Sequence, residues 1–144
     1  MARNKPIHVP EMDPADIPSL SPEIYVAMGE DGIFRMLSDF YGVLGTSSIR
    51  PMFGENLQEA SRRSAAFYVQ LLGGPPMYNE GYGPPMMRRR HFPFEIDETA
   101  RLVWRDCFYR ILENAEDAYG FPSAHLPAFR EFLDRFSKWM VNTA

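Results

Sequence analysis

One histidine in this chain stands where chemistry could be done. There are three among 144 residues. His8 lies in a proline-rich lead-in and His125 near the start of the last predicted helix, and neither has a partner at metal-ligand spacing. His91 is different. It sits in Met86–Ile96, MMRRRHFPFEI, between a run of three arginines and the apolar hook Phe92-Pro93-Phe94. Residue types alone suit three roles there: the tip of a basic patch that meets phosphate, an ordinary turn residue, or a ligand.

Other chemistries lack their parts. No G-x-S-x-G holds a nucleophile, and no phosphate loop or H-E-x-x-H is present. The carboxylates Asp97-Glu98 and Glu113/Glu116/Asp117 fall at cap or solvent-facing positions. The single Cys107 excludes an internal disulfide and a Cys-rich zinc site, and it falls on the inward stripe of its helix. A net charge of −4 and a pI near 5.4 argue against a nucleic-acid binder. What remains is one histidine among 14% aromatic residues, without an acid–base pair. That combination suits a cofactor protein. Haem needs one axial ligand, an apolar slot and cations for its propionates. His91 could supply the first, and Arg88 and Arg90 the last, because guanidinium pairs well with carboxylate. The apolar face of the third predicted helix would cover the ring.

The elements that must place these groups are helical, since no segment alternates as a strand does. Residues 1–20, with Pro6, Pro10, Pro14 and Pro18, read as an extended arm, and 21–144 as a single domain. Ser21-Pro22-Glu23 starts a short helix that Gly29 stops. A second helix spans 31–44, and a third begins at Asn56, with Leu57, Ala60, Ser64, Phe67 and Leu71 as its inner face. Residues 73–85, rich in Gly and Pro and carrying Tyr78 and Tyr82, read as a long shaped loop. One helical turn fits Met86–His91 before Pro93. Asp97 caps a helix to about Ala118, its stripe being Ala100, Val103, Trp104, Cys107, Ile111 and Ala115. The last helix runs from about Pro127 to Met140. No window reaches the roughly 18 apolar residues of a membrane span, and no secretory signal opens the chain.

The run LLGGPPMYNEGYGPPMMRRRHFPFEI, residues 71–96, resembles the truncated haemoglobins, and most of all their group II. In that group a Gly-Gly-Pro ends the distal helix, a Tyr-bearing loop follows, and Arg-x-Arg-His-x-Pro-Phe-x-Ile carries the proximal histidine. Arg88, Arg90, His91, Pro93, Phe94 and Ile96 match in order. Trp104 matches the tryptophan that follows that histidine in group II. Upstream, Phe40-Tyr41 resembles the family's Phe-Tyr pair, and Arg50-Pro51-Met52-Phe53 the corner that wedges an aromatic ring against haem. The likeness covers about residues 24–116.

This resemblance implies an all-α truncated globin fold: a two-over-two α-helical sandwich around haem b, with an N-terminal extension and an extended C-terminal helix. It implies His91 as iron ligand and Arg88 and Arg90 at the propionates. Tyr41 and Trp104 become hydrogen-bond donors above the iron, and Phe53, Phe67, Tyr68 and Tyr82 pack the cofactor. Two positions depart from the pattern. Phe53 stands where some members carry Tyr, and Ala60 takes the place of the distal histidine of other globins, with Ser64 one turn on. The implied function is reversible binding of O2, CO or NO at five-coordinate iron in a cytoplasmic protein, for oxygen binding and transport or for NO and peroxide redox chemistry. NO dioxygenase or peroxidase-like turnover would need a partner reductase, and no residue is assigned as catalytic. Neither membrane nor nucleic acid is an expected partner. A reading from another class is a helical interaction module that has lost haem.

Overall fold

The computed structural model describes residues 6–144, and every regular element among them is helical. The first five residues of the predicted arm lie outside the described residues.

Helix α1 (Glu23–Leu44) covers both of the first two predicted helices. Gly29 bends the chain, at φ +68 and ψ 174, rather than stopping it. Only glycine takes that conformation without strain. The helix resumes because residues before the bend, Ile24 and Met28, and after it, Ile33, Leu37 and Phe40, all bury in the core. A 3-10 turn, Arg50–Phe53, follows. Helix α2 (Leu57–Leu71) starts where Asn56 accepts the Glu59 N–H at 3.0 Å. The Glu59 carboxylate meets Arg62 at 2.8 Å.

The Gly-Pro stretch contains an unexpected helix, α3 (Met77–Tyr82). Tertiary contacts outweigh its composition: Tyr78 is buried, and the Gln70 amide brackets Asn79 with bonds of 2.9 and 3.0 Å. The preceding glycines act through size. A Cβ on Gly74 would lie 2.6 Å from the Tyr25 ring, and one on Gly73 2.7 Å from Pro22. The end of α2 can therefore press against the start of α1.

Helix α4 (Met87–Arg90) is the expected single turn. Helix α5 (Glu98–Leu112) is capped by Asp97, which accepts the Ala100 N–H at 2.8 Å. It ends earlier than predicted. Non-helical Asn114 separates it from α6 (Ala115–Tyr119), and that break lets Tyr119 and Phe121 turn into the core. Helix α7 (Leu126–Met140) closes the order, with a proline in its first turn.

The predicted α5 stripe is rotated. Its buried residues are Arg101, Phe108 and Leu112, while Val103, Cys107 and Ile111 are half-buried. A buried arginine is invisible to a hydrophobic pattern. α1 packs mainly on α2, and α5 on α7, with α1 against α5 joining the two pairs. Phe40 and Phe108 meet at that junction with ring centroids 4.2 Å apart, and Phe129 reaches Phe108 from α7. Each fully buried Phe contributes about 2–3 kcal/mol of burial. No helix of the described residues is long and apolar enough to cross a membrane.

Candidate functional site

The two helix pairs do not close on each other at the end where α4 lies. They leave a cavity of about 570 Å³, within the range of small-molecule sites. His91, half-buried, is on one wall, just after the last residue of α4. Its Nδ1 lies 2.6 Å from the Met87 carbonyl, one helical turn back. A carbonyl can only accept, so Nδ1 carries the hydrogen and Nε2 keeps its lone pair. Burial holds the imidazole pKa below its ordinary value, against the opposing pull of that hydrogen bond. The ring is therefore held neutral, in the tautomer and charge state of a ligand.

The same lining carries hydrogen-bond donors. Tyr41 on α1 and Trp104 on α5 both line the cavity, as do Ala60, Ser64, Phe67 and Tyr68 on α2 and Phe53 in the 3-10 turn. The Ser64 hydroxyl acts on the Tyr41 phenol from the next helix, partly opposing the effect of burial. Burial raises the Tyr41 phenol pKa, so it remains an O–H donor. Edge contacts fix its ring, 5.4 Å from Phe40 and 5.9 Å from Phe53. Trp104 is held edge-on to Phe40 at 5.4 Å. Of the face of α2 expected to point inward, Ala60, Ser64 and Phe67 line the cavity and Leu57 and Leu71 do not. The packing face of this helix is Ser61, Ala65, Tyr68 and Val69, whose small members give little hydrophobic signal.

Two expected cofactor contacts are placed elsewhere. Arg88 does not line the cavity. Its guanidinium donates to the carbonyls of Val141 (2.7 Å) and His8 (2.8 Å), and packs 4.7 Å from the Trp139 ring. Tyr82 is also outside the lining and sits beneath the Arg63 guanidinium at 5.2 Å. Tyr78 takes its place on the wall, and Arg63 joins Arg90 as a cation there. Arg90 also organises the loop before it, donating to the carbonyls of Tyr82 and Pro85 at 2.7 Å each. Arg63 was findable from sequence, because it lies between Ala60 and Ser64 on the cavity side of α2. Helical spacing puts Phe136 and Met140 on the inward face of α7 with Phe129, Phe132 and Leu133, and together with Ser137 they complete the enclosure.

The Tyr68 hydroxyl is fully buried and has no hydrogen-bond partner. An orphaned buried donor costs about 1–3 kcal/mol, and here it borders a cavity that could hold a polar atom. The cavity is thus apolar in most of its lining, cationic at Arg63 and Arg90, and polar at Tyr41, Ser64 and Tyr68.

Comparison with known proteins settles the family. The family profile of the bacterial-like globins matches residues 23–142. The chain belongs to the bacterial-like globins. This globin is 36% identical over 110 residues to the group 2 truncated hemoglobin YjbI of Bacillus subtilis, covering 76% of the chain and 77% of the relative. Among solved structures it is similar to phosphate-bound Hell's gate globin IV, with a TM-score of 0.81 at 33% identity over 88% of the chain and 79% of that protein. It is also similar to the group II truncated hemoglobin of Bacillus anthracis, with a TM-score of 0.76 at 30% identity over 88% and 94%. The fold is that of a truncated globin, and α1, α2, α5 and α7 form its two-over-two sandwich.

The orphaned hydroxyl gives a first test. In the globin without cofactor, Tyr68→Phe raises stability by about 1 kcal/mol, because it removes a buried donor without a partner. Urea denaturation of the two proteins measures this. A loss of stability in the variant means that the hydroxyl is satisfied in solution.

Proposed function

We propose that the cavity binds haem b with His91 as the iron ligand, and that the protein binds diatomic ligands (O2, CO or NO) on the side of Tyr41 and Trp104. The observation that carries this reading is the His91 ring, tied through Nδ1 to Met87, on the lining of a cavity that also holds Tyr41, Ser64 and Trp104. The residues present fit haem. One imidazole serves as ligand, Phe53, Phe67 and Tyr78 offer apolar surface, and Arg63 and Arg90 are cations for propionates. The orphaned Tyr68 hydroxyl fits a polar guest in the same space.

Haem, when bound, supplies an iron with one position open to a diatomic ligand. The chain does the rest. Met87 fixes the His91 tautomer and makes the ring a stronger base. Tyr41 and Trp104 offer O–H and N–H donors to a ligand with partial negative charge, and the Ser64 hydroxyl acts on Tyr41. Ala60 leaves an opening on α2. Donors of this kind slow ligand release, which suits redox chemistry on the ligand, such as NO oxidation or peroxide turnover, with electrons from a partner reductase. A cytoplasmic setting accords with the lone free thiol of Cys107.

Absorbance during titration of the purified protein with haem tests the reading. A Soret band that saturates at one haem per chain, and that changes its ligation in His91→Ala, is the expected result. No band in the wild type turns the reading toward an interaction module. Wild-type ligation persisting in His91→Ala removes His91 as the ligand. Stopped-flow mixing of the O2-loaded protein with NO, followed by peroxide assays, then separates storage from redox turnover.

A further inference from the structure

We infer that Asn142 is a positioning residue for His91, and that the C-terminal tail is a clasp which fixes where the imidazole presents Nε2. The inference rests on the haem reading above and adds a function for a segment that reading leaves idle.

The Asn142 side chain is fully buried, and its carboxamide spans the turn that follows His91. Nδ2 donates to the His91 carbonyl at 3.1 Å, and Oδ1 accepts the Ile96 N–H at 2.9 Å. Both ends of the segment His91–Ile96 are thus held by one planar group. The Asn142 backbone adds a third tie, its N–H donating to the Ile96 carbonyl at 2.9 Å, and Thr143 donates to the same oxygen at 3.1 Å. The tail is itself anchored. His8 donates its N–H to the Asn142 carbonyl at 2.8 Å, and Arg88 binds the carbonyls of Val141 and His8.

A one-turn helix such as α4 cannot fix a side chain by itself, because a single turn makes few hydrogen bonds and frays. The segment after His91 contains Pro93, which has no N–H to give to a ladder. A local turn holds its first half, the Phe94 N–H donating to the His91 carbonyl at 2.9 Å, and the remaining order comes from partners distant in sequence. Asn142 supplies them at the residue whose ring faces the cavity, and a misplacement of about 1 Å there alters ligand geometry. Arg88 serves this clasp, which accounts for its turning away from the cavity.

The test compares wild type, Asn142→Ala and Arg88→Leu, each loaded with haem in the ferrous state. Resonance Raman reads the iron–histidine stretch, and the C–O stretch of the CO complex reads the opposite wall. We expect the iron–histidine band of Asn142→Ala to be displaced or broadened, with the C–O stretch unchanged. In the haem-free protein, the Ile96 amide should exchange about tenfold faster, from loss of one buried hydrogen bond. A general loss of packing would move the C–O stretch as well. If Asn142→Ala does not fold, Arg88→Leu loosens the same tail without touching the carboxamide, and its iron–histidine band carries the decision. Bands of the folded variants that superimpose on wild type overturn the positioning role. Absence of the band in wild type overturns the haem reading and the role together.

Discussion

In Trp104→Phe, O2 leaves the protein about 10- to 100-fold faster than in wild type, the change expected for losing one hydrogen bond to a partly charged acceptor worth roughly 1.5–3 kcal/mol. The substitution is close to shape-conserving. Trp104 packs edge-on against the Phe40–Phe108 pair, with centroids 5.4 and 5.7 Å away, and a phenyl ring keeps most of that contact. What it removes is the indole N–H on the cavity wall. Tyr41→Phe acts in the same direction and also removes the phenol on which Ser64 acts, so the double variant should show less than the product of the single effects. Stopped-flow displacement of O2 by CO reads the rate directly. An off-rate unchanged in Trp104→Phe removes that side chain from ligand retention and leaves Tyr41 as the donor.

The second large effect lies behind the cavity. Asp134→Ala should destabilise the protein by about 2 kcal/mol, less than the full cost of breaking a buried pair because Asp134 is partly exposed. Arg101 is only 7% exposed, and its guanidinium divides between Glu98 at 3.0 Å and Asp134 at 2.7 Å. Arg105 shares the same Asp134 oxygen at 2.7 Å. Removing the carboxylate leaves a buried cation in the cavity wall with one carboxylate partner instead of two. Burial pushes the Asp134 carboxyl pKa up, but the bonds from Arg105 and Arg101 outweigh it and hold the pKa below the ordinary carboxylate value. A depressed folded-state pKa means that the unfolded chain binds the proton more readily. The contribution is then fully present above the unfolded value and fades as pH falls through the folded one. The gap in urea stability between wild type and Asp134→Ala should be constant at neutral pH and narrow below about pH 4. A gap that stays constant into acid means that the pair does not hold the two helices together.

The parts legible in sequence were those written in local order. Asp97 and Asn56 cap as their residue types require, and His91 is identifiable because Arg90, Pro93, Phe94 and Ile96 flank it at fixed offsets. Tyr41, Phe53, Ala60, Ser64 and Trp104 reach one cavity because helical spacing, once the fold is known, fixes their faces. Failures occurred where tertiary contacts outweigh local signals. α3 forms in a Gly-Pro stretch because Tyr78 is buried and Gln70 grips Asn79. Arg88 and Arg90 are two residues apart on a single turn, and sequence cannot say which one faces the pocket. Arg101 breaks an apolar stripe while occupying a core position, so it shifted the predicted face of α5. The Asn142 clasp joins residues far apart along the chain, and no local pattern records it.

The Asn142 contact also sets an order of assembly. Its partner carbonyl on His91 precedes it by 51 residues. At synthesis rates of roughly 5–20 residues per second, the proximal turn exists for about 3–10 s before its latch is made. The wall residues Phe136, Ser137 and Met140 come from the same late stretch. The pocket is therefore the last part of the described chain to be completed, and a nascent chain halted before α7 presents His91 on an unlatched turn. A cofactor that needs the whole enclosure is, on this timetable, captured only after α7 has been made.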